Sequence, residues 1–344
     1  MSSPDLPSLH AIGSRLRFRQ LRLLIAIDQM GSLHRAAEMT SMTQPGASKA
    51  LRELEETFGA ELFVRHSHGL EANELGRCVI RYARLIGTDL EHLREEMSGI
   101  LRGQGGRLAV GAIAGALPTV LVEAVRSVKQ SHPAISIELF EDTSARLLQM
   151  LAEGRLELAI CRTSVAAQPE LFDFEWLCDE RVCAAVGPLH PLAGAGSVDL
   201  AELMNYPWVL FPNHMPLRTL LERELMQAGL TLPGHAIETS STFASVLLLS
   251  KSDALVSLFS QETVEFFERH GMVKRLQVRL MARVEPYGLV RRRGSALSPS
   301  AGILIEEIRR EAARVQCGSD NANGRLANPS SVEIVTNPAT NGPL

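Results

Sequence analysis

The feature that most restricts the fold of this chain is a long apolar stripe in residues 74–102. Apolar side chains return there at every third or fourth position, and the stripe comprises Leu75, Val79, Tyr82, Ile86, Leu90, Leu93 and Met97. This spacing matches the period of an α-helix, and charged residues fill the positions between. The pattern predicts a linker helix between two units. A narrow stripe suits two dimerising helices; the alternative is that it packs on its own domain.

Residues 15–73 precede this helix and predict three short helices and a hairpin. The expected helices span about 17–30, 33–39 and 44–58, with Ser32 and Thr43 as N-caps and Pro45 in the first turn of the third. A short hairpin should follow, with Arg65-His66-Ser67-His68 at its tip. Three helices and a hairpin predict a winged helix-turn-helix, whose second helix can enter the major groove of duplex DNA.

The polar residues around this predicted turn are of the types that contact DNA. We expect DNA contacts from Ser32, Arg35, Thr43, Gln44, Pro45, Ser48, Lys49, Arg52, Arg65 and His66. Glutamine can bond adenine bidentately, arginine and lysine favour guanine, and hydroxyls reach bases or phosphates. Residues 14–52 carry seven basic and two acidic side chains, in a chain whose net charge is −4. The alternative interpretation of this local excess is an ordinary solvated face.

The same segment resembles the DNA-binding domain of LysR-type transcriptional regulators. The matching motifs are Gly31-Ser32-Leu33, Ala36-Ala37, Thr43-Gln44-Pro45, Ser48, Leu51, Leu54-Glu55, Gly59, Leu62-Phe63 and Arg65. Gly46-Ala47 and Asn73 depart from the residues common there, and Gly46 is expected to loosen the helix slightly. The segment resembles most the branch that controls sugar-uptake and aromatic-acid catabolism genes. The resemblance implies dimerisation through the linker helix and a homotetramer, a dimer of dimers, on an interrupted palindrome.

Strand and helix patterns alternate after a Gly-rich hinge at residues 103–106. They predict an α/β domain at 107–316 with parallel sheets. Its two halves resemble the effector-binding domain of the same family, which is similar to periplasmic binding proteins. We expect lobe I at about 107–163 and 284–316 and lobe II at about 164–283. The predicted fold is therefore an all-α winged helix-turn-helix joined by a long helix to a two-lobed α/β domain, with residues 1–14 and 317–344 disordered.

Ligands of open parallel sheets bind at the carboxyl ends of strands, beside helix N-termini. Four turns of this kind should meet in one cleft between the lobes, at residues 112–117, 141–144, 212–216 and 240–242. The expected effector-binding residues are Ala112, Ile113, Ala114, Thr143, Ser144, Arg162, Asn213, His214, Ser241 and Thr242. The alternative is that Thr143, Ser144 and Ser241 are only N-caps. The first turn lacks the hydroxyl residue usual in the family, which argues against an anionic effector held by such a side chain there.

Several classes of protein are disfavoured by what the sequence lacks. It contains no nucleophile elbow, Walker loop, zinc-protease motif or dinucleotide-binding glycine motif, so we expect no enzyme and no cofactor. The five cysteines form no Cys-x-x-Cys pair, and we expect structural cysteines rather than a redox sensor at Cys178 and Cys183. A metal site at His66 and His68 is disfavoured against a phosphate-facing hairpin tip. No apolar run approaches the roughly 18 residues of a membrane helix, and no secretory signal is present, which favours the cytoplasm.

These observations predict a bacterial transcriptional regulator controlled by a small molecule. Its partners would be double-stranded promoter DNA, a small-molecule effector, further copies of itself and, for an activator, RNA polymerase. One alternative is a solute-binding or transport component that shares the lobed fold. Another is a DNA-bending protein without an effector.

Overall fold

The computed structural model describes residues 6–66, 69–101, 106–281 and 283–322. Expectations for the hairpin tip at Ser67 and His68, for hinge residues 103–105 and for residues 323–344 lie outside these ranges. No helix in the described ranges is both long and apolar enough to cross a membrane.

The N-terminal unit contains four helices and a two-stranded hairpin, followed by a long helix. Its elements are α1 Leu9–Arg15, α2 Phe18–Met30, α3 Leu33–Met39, α4 Gln44–Phe58, β1 Phe63–His66, β2 Gly69–Ala72 and α5 Glu74–Leu101. The second to fourth helices and the antiparallel hairpin form the predicted winged helix-turn-helix. Its core is aliphatic and includes Leu24, Ile27, Ala47 and Leu54.

The hairpin, or wing, is attached to the turn before α3 at one point. The Leu70 N–H donates to the Gly31 carbonyl over 2.9 Å. Gly69, at φ +144°, approaches the same carbonyl so closely that a Cβ at this position would collide with it. Glycine at position 69 therefore fixes the wing beside the helix-turn-helix.

Lobe I of the C-terminal domain is built on a five-stranded sheet. Its elements are β3 Arg107–Ala112, α6 Val122–Ser131, β4 Ser136–Glu141, α7 Ser144–Ala152, β5 Leu158–Cys161, β6 Phe172–Cys178, β12 Tyr287–Arg292 and α12 Pro299–Ala322. The strand order is β4-β3-β5-β12-β6. The first three strands are parallel, as expected, whereas β12 runs antiparallel to both of its neighbours.

Lobe II is a smaller unit between two crossover segments of the chain. Its elements are β7 Val182–Val186, α8 Leu200–Leu203, β8 Val209–Leu210, α9 Pro216–Gln227, β9 Ile237–Glu238, α10 Thr242–Ser250, β10 Val256–Ser260, α11 Gln261–Arg269 and β11 Lys274–Leu276. Its three-stranded sheet, β10-β7-β11, is antiparallel, the short pair β8-β9 is parallel, and two isolated parallel bridges join Ser197 to Gln277 and Trp208 to Val256. The expected parallel arrangement thus holds for β8 and β9, whose ends carry the turns at 212–216 and 240–242, and does not hold for the three-stranded sheet.

The predicted start of lobe II at residue 164 is also wrong. The strand β6 pairs with β12 from Phe172↔Arg292 to Cys178↔Tyr287, so residues up to 178 belong to the lobe I sheet. The chain crosses to lobe II at residues 179–181 and returns at residues 285–286, because Val278, Leu280 and Val284 still pack on the lobe II core. Alternation of apolar and acidic side chains in β6 was a strand signal, but pairing with a strand more than a hundred residues later decides the lobe.

Both predicted disordered ends overlap helices. The helix α1 covers residues 9–15, and the Ser8 hydroxyl accepts from the Ala11 N–H over 3.3 Å at its start. The last helix, α12, continues to Ala322, beyond the expected boundary at 316. Local capping stabilises the first of these helices although none of its residues is buried.

Candidate functional site

The helix α4 has one buried face and one exposed polar face. Its Ala47, Ala50, Leu51 and Leu54 side chains are buried, which holds the helix against α2 and α3. Among the expected DNA-contacting residues, Ser48 is half-buried, and exposed positions are Thr43, Gln44, Pro45, Lys49 and Arg52. Gln44, Ser48 and Arg52 follow one another at four-residue spacing, so they lie along one side of the helix. The side chains on this face carry hydrogen-bond donors and acceptors that can pair with the edges of base pairs.

The two expected N-caps of this motif differ in the structure. The Thr43 hydroxyl accepts from the Gly46 N–H over 3.2 Å and caps α4, as predicted. Ser32 stands at the N-cap of α3, as predicted, but its hydroxyl does not make the expected cap bond. Arg35 in α3 donates to the Met30 carbonyl, which fixes its guanidinium beside the turn.

The wing presents exposed basic residues. Arg65 and His66 are exposed at the end of β1, and His66 lies 3.5 Å from the carboxylate of Glu71 on β2. Within the described residues, no group of three His, Cys, Asp or Glu side chains could hold a metal ion. His68 lies outside the described ranges.

The apolar stripe of α5 is exposed, except for its half-buried Val79. The exposed members are Leu75, Tyr82, Ile86, Leu90, Leu93 and Met97. A different face of the helix contacts its own subunit, where Ile80 and Ala83 are buried in the N-terminal core. One face of the helix thus packs on its own domain, and a second, apolar face is exposed to solvent. A second helix can cover this exposed face.

Polar contacts also join α5 to both units. Arg84 bonds Asp28 of α2 over 2.6 Å and lies 3.8 Å from Glu153 after α7. The Thr88 hydroxyl donates to the Glu153 carbonyl over 3.1 Å. One stretch of the linker helix therefore contacts the helix-turn-helix and lobe I at once.

All four predicted turns line one cavity of about 740 Å³ between the lobes. Eight of the ten expected effector residues lie in its wall, namely Ile113, Ala114, Thr143, Ser144, Arg162, His214, Ser241 and Thr242. Ala112 is instead buried in β3, and Asn213 is exposed outside the wall. The side chain of Ala112 packs into the lobe I core because strand residues alternate between the two faces of a sheet.

Other wall residues were not expected from the sequence. They include Val165, Glu180, Phe211, Phe259, Ser260 and Thr263, whereas Gly115, Glu141 and Asp142 lie within two of the predicted turns. Glu180 lies in the first crossover, and Ser260 is the last residue of the antiparallel strand β10. A rule based on the ends of parallel strands could therefore not select either residue. Glu141 and Asp142 belonged to a predicted turn, and their carboxyl groups were the available signal.

The strongest electrostatic feature of the cavity is a buried ion pair. Arg162 forms a salt bridge with Glu180, and each side chain is only 6% exposed. Burial raises the pKa of the Glu180 carboxyl, while the guanidinium of Arg162 acts in the opposite direction. Arg162 Nε also donates to the Glu285 carbonyl over 2.9 Å. Arg162 therefore bonds both crossover segments between the lobes.

The hydroxyls at the cavity have different local partners. Ser241 caps α10 by accepting from the Ala244 N–H over 3.1 Å, which agrees with the N-cap interpretation. Thr143 stands at the N-cap of α7 without a side-chain cap bond, and the Ser144 hydroxyl accepts from the Arg162 N–H over 3.2 Å. Ser144 thus connects α7 to the strand end that carries the ion pair.

The buried cysteines are poorly suited to redox chemistry as thiolates. Burial raises the pKa of the Cys161 and Cys183 thiols to about 12 in each case. Burial also raises the pKa of Cys178, although a hydrogen bond with Tyr287 opposes this effect. Because the thiolate is the reactive form, these positions fit structural cysteines.

Two families match this chain over separate ranges. Residues 18–77 match the bacterial regulatory helix-turn-helix proteins of the lysR family. Residues 101–313 match the LysR substrate binding domain. The first match covers the helix-turn-helix unit, and the second covers the two-lobed domain with the whole cavity wall.

Similar proteins include named transcriptional regulators. The HTH-type transcriptional regulator GbpR of Azospirillum brasilense is 30% identical over 310 residues, which cover 90% of each chain. The RuBisCO operon transcriptional regulator of Allochromatium vinosum is 29% identical over 87% of this chain and 97% of its own. The crystal structure of full-length CbnR with its target DNA, 19% identical, has a TM-score of 0.59 over 86% of this chain and 100% of its own. The last likeness shows a common fold.

Proposed function

The chain belongs to the LysR family of transcriptional regulators, and from this premise we propose which of its residues bind DNA, self-associate and bind an effector. The protein is a DNA-binding regulator with an effector-binding domain, not an enzyme or a transport component. The observation that carries the assignment of sites is that one chain combines an exposed polar helix face with a cavity lined from both lobes.

For DNA binding, the proposal places the N-terminal part of α4 in the major groove. Gln44, Ser48 and Arg52 would contact base edges, and Lys49 would contact phosphate or guanine. Arg65 and His66 on the wing would contact phosphates or the minor groove. Ser32, Arg35, Thr43 and Pro45 would position the backbone of the motif on the duplex.

For assembly, the exposed stripe of α5 would pair with the same stripe of a second subunit. Burying large apolar side chains against each other removes them from water and provides the driving force. Two such dimers would form a homotetramer on an interrupted palindromic site in promoter DNA. The protein would act in the bacterial cytoplasm and, if it activates transcription, would contact RNA polymerase.

For regulation, a small molecule in the cavity would contact both lobes and so bias their relative angle. A change in that angle can reach the DNA-binding domain through lobe I, because Arg84 and Thr88 of α5 contact Glu153 after α7. The separation of the two sites in the chain predicts that effector response and DNA binding can be lost independently.

The test combines genome-wide occupancy of the tagged protein with a reporter driven by an occupied promoter. Reporter strains would grow on a series of single carbon sources, with wild type, Gln44→Ala and Thr242→Trp compared. We expect Gln44→Ala to reduce occupancy at specific sites. Thr242→Trp should retain occupancy but remove the variation in reporter output between growth conditions.

Thr219→Trp is the matched control, because Thr219 is exposed on α9 and outside the cavity wall. It should respond as wild type does. A Thr242→Trp protein that folds and responds normally would place the effector site elsewhere. Loss of operator binding by the same variant in vitro would show that the two sites are not separable.

A further inference from the structure

The charged groups in the wall of the cavity are predominantly acidic. The described wall contains one arginine, Arg162, and three carboxylates, those of Glu141, Asp142 and Glu180. The guanidinium of Arg162 is bonded to Glu180 and to the Glu285 carbonyl. An incoming carboxylate would therefore meet an arginine that already has a carboxylate partner.

The helix N-termini at the cavity, which generally favour anions, lie beside groups that weaken this preference. At α7, Thr143 makes no side-chain cap bond, but the Asp142 carboxylate, which accepts from the Thr143 N–H over 2.7 Å, places a negative charge directly beside the helix start. At α10, Ser241 fills the cap position, and α9 begins at Pro216, which has no N–H to offer. These three helix starts therefore attract an anionic ligand only weakly.

The remaining wall suits a neutral ligand that carries hydroxyl groups. Its hydroxyl side chains are Thr143, Ser144, Ser240, Ser241, Thr242, Ser260 and Thr263. Carboxylates accept hydrogen bonds from ligand hydroxyls, and serine and threonine can both donate and accept. Phe211 and Phe259 contribute buried apolar surface, with ring centroids 6.2 Å apart. A few polar groups around an apolar floor are typical of small-molecule sites of this size.

Building on the proposed effector site, we infer that Glu180 acts as an internal counter-anion of Arg162 and makes this cavity select a neutral, polyhydroxylated effector over a carboxylate. The close fit of the pair depends on Gly115. A Cβ at position 115 would lie 2.6 Å from Glu180 Oε1, so a larger residue there would displace the carboxylate. Glu180 is thus a residue that determines ligand class by satisfying the cation before any ligand arrives.

The test is a binding screen of the full-length protein against matched pairs of small molecules. The two members of a pair share one skeleton, and one member carries a hydroxymethyl or hydroxyl group where the other carries a carboxylate. Examples are a hexose with a hexonate, and a cyclitol with a hydroxylated cyclohexane carboxylate. Thermal shift identifies binders, and calorimetry measures Kd. We expect the wild type to bind at least one neutral member, and to bind it at least about tenfold more tightly than its acid.

Glu180→Gln leaves the guanidinium without a carboxylate partner, so the preference within that pair should move toward the acid by about tenfold or more. Glu170→Gln removes an exposed carboxylate of lobe I outside the wall and should retain the wild-type preference. If Glu180→Gln does not fold, the wild-type comparison alone decides, since it requires no variant.

Two outcomes would overturn the inference, and they have different consequences for the proposed function. In the first outcome, the wild type binds the acids more tightly than the neutral members, and acid binding changes its affinity for operator DNA. The assignment of ligand class would then be wrong, while the cavity would remain the regulatory site. Binding of neither class, while operator DNA is still bound, would count against this inference and against the effector role of the cavity.

Discussion

Arg162 Nε donates to the Glu285 carbonyl over 2.9 Å while the same guanidinium is paired with Glu180. Glu180 and Glu285 lie in the two segments through which the chain passes between the lobes. Arg162 itself follows β5 of lobe I, so one side chain connects the sheet of that lobe to both crossovers. Any movement of the lobes about these segments must keep or exchange these bonds.

Removal of Arg162 should destabilise the protein strongly, because it leaves the Glu180 carboxylate buried without its partner. We expect Arg162→Met to lower the free energy of unfolding by about 3–5 kcal/mol. The double variant Arg162→Met with Glu180→Leu should lose less than the single variant, since no charge is left alone. Chemical denaturation of the full chain measures both effects. Arg126→Met replaces an exposed arginine of α6 and is the control. The prediction would be contradicted if Arg162→Met lowered the free energy of unfolding no more than Arg126→Met does.

Replacement of Gln44 should weaken specific more than nonspecific DNA binding. Gln44→Ala is expected to cost about 1–3 kcal/mol at the operator and little on random duplexes, because the amide would contact a base edge. Titration of fluorescent operator and random duplexes by anisotropy measures the difference. Gln227→Ala removes an exposed glutamine of lobe II and should change neither affinity. Equal losses on the two duplexes would show that Gln44 contacts no base.

Replacement of Arg65 on the wing should weaken binding to every duplex by a similar factor. Each phosphate contact releases condensed counterions, so Arg65→Ala should reduce the slope of log K against log salt by about one unit. The measurement is affinity at several salt concentrations, with Arg126→Ala as the control. An unchanged slope would assign Arg65 to a structural role, for example in contact with Phe63 and Leu70 beneath the wing.

Charges placed in the exposed stripe of α5 should separate the subunits. Leu90→Glu with Leu93→Glu would bury two charges in an apolar interface, which is unfavourable without partners. Sedimentation velocity should show a smaller species than wild type. Glu91→Lys with Arg94→Glu exchanges two exposed charges beside the stripe and should leave the assembly as it is. An unaltered oligomer in the leucine variant would mean that another surface holds the subunits together.

The carboxyl of Glu262 on α11 predicts a pH-dependent effect on stability. Burial raises its pKa above the ordinary value of 4.5, and the nearby charge of Glu180 adds to the effect. A group that binds its proton more tightly when folded stabilises the fold below pH 4.5, and this contribution is lost as the pH rises through the raised pKa. Glu262→Gln should therefore be more stable than wild type at pH 7, with the difference disappearing near pH 4.

Denaturation midpoints between pH 4 and pH 8 measure this difference. Glu265→Gln on the same helix is the control, because Glu265 is exposed and its replacement removes the same charge. A Glu262→Gln protein that is less stable than wild type at pH 7 would contradict the assignment of a burial cost to this carboxylate.

The sequence by itself was sufficient for features that depend on neighbours along the chain. The helix α4 begins with a threonine cap and proline and ends at Gly59, and the stripe of α5 follows from helical periodicity. The four turns of the cavity were predictable as well, because each joins a strand end to a helix start. Seven of the eight expected residues found in the cavity wall lie in these turns, and the eighth is Arg162 after β5.

Tertiary structure decided the features that depend on distant partners. The lobe that contains β6 follows from its pairing with β12, and the partner of Arg162 is a glutamate eighteen positions later in a crossover. No local pattern identifies Glu180 as a wall residue, because its position is set by the packing of the two lobes. Helical periodicity predicted the apolar stripe of α5, but only the packed core showed that Ile80 and Ala83 face inward while Leu90 and Leu93 of the stripe face solvent. Short-range capping and periodicity are encoded in a few adjacent residues, whereas charge pairing and burial require the whole chain to be folded.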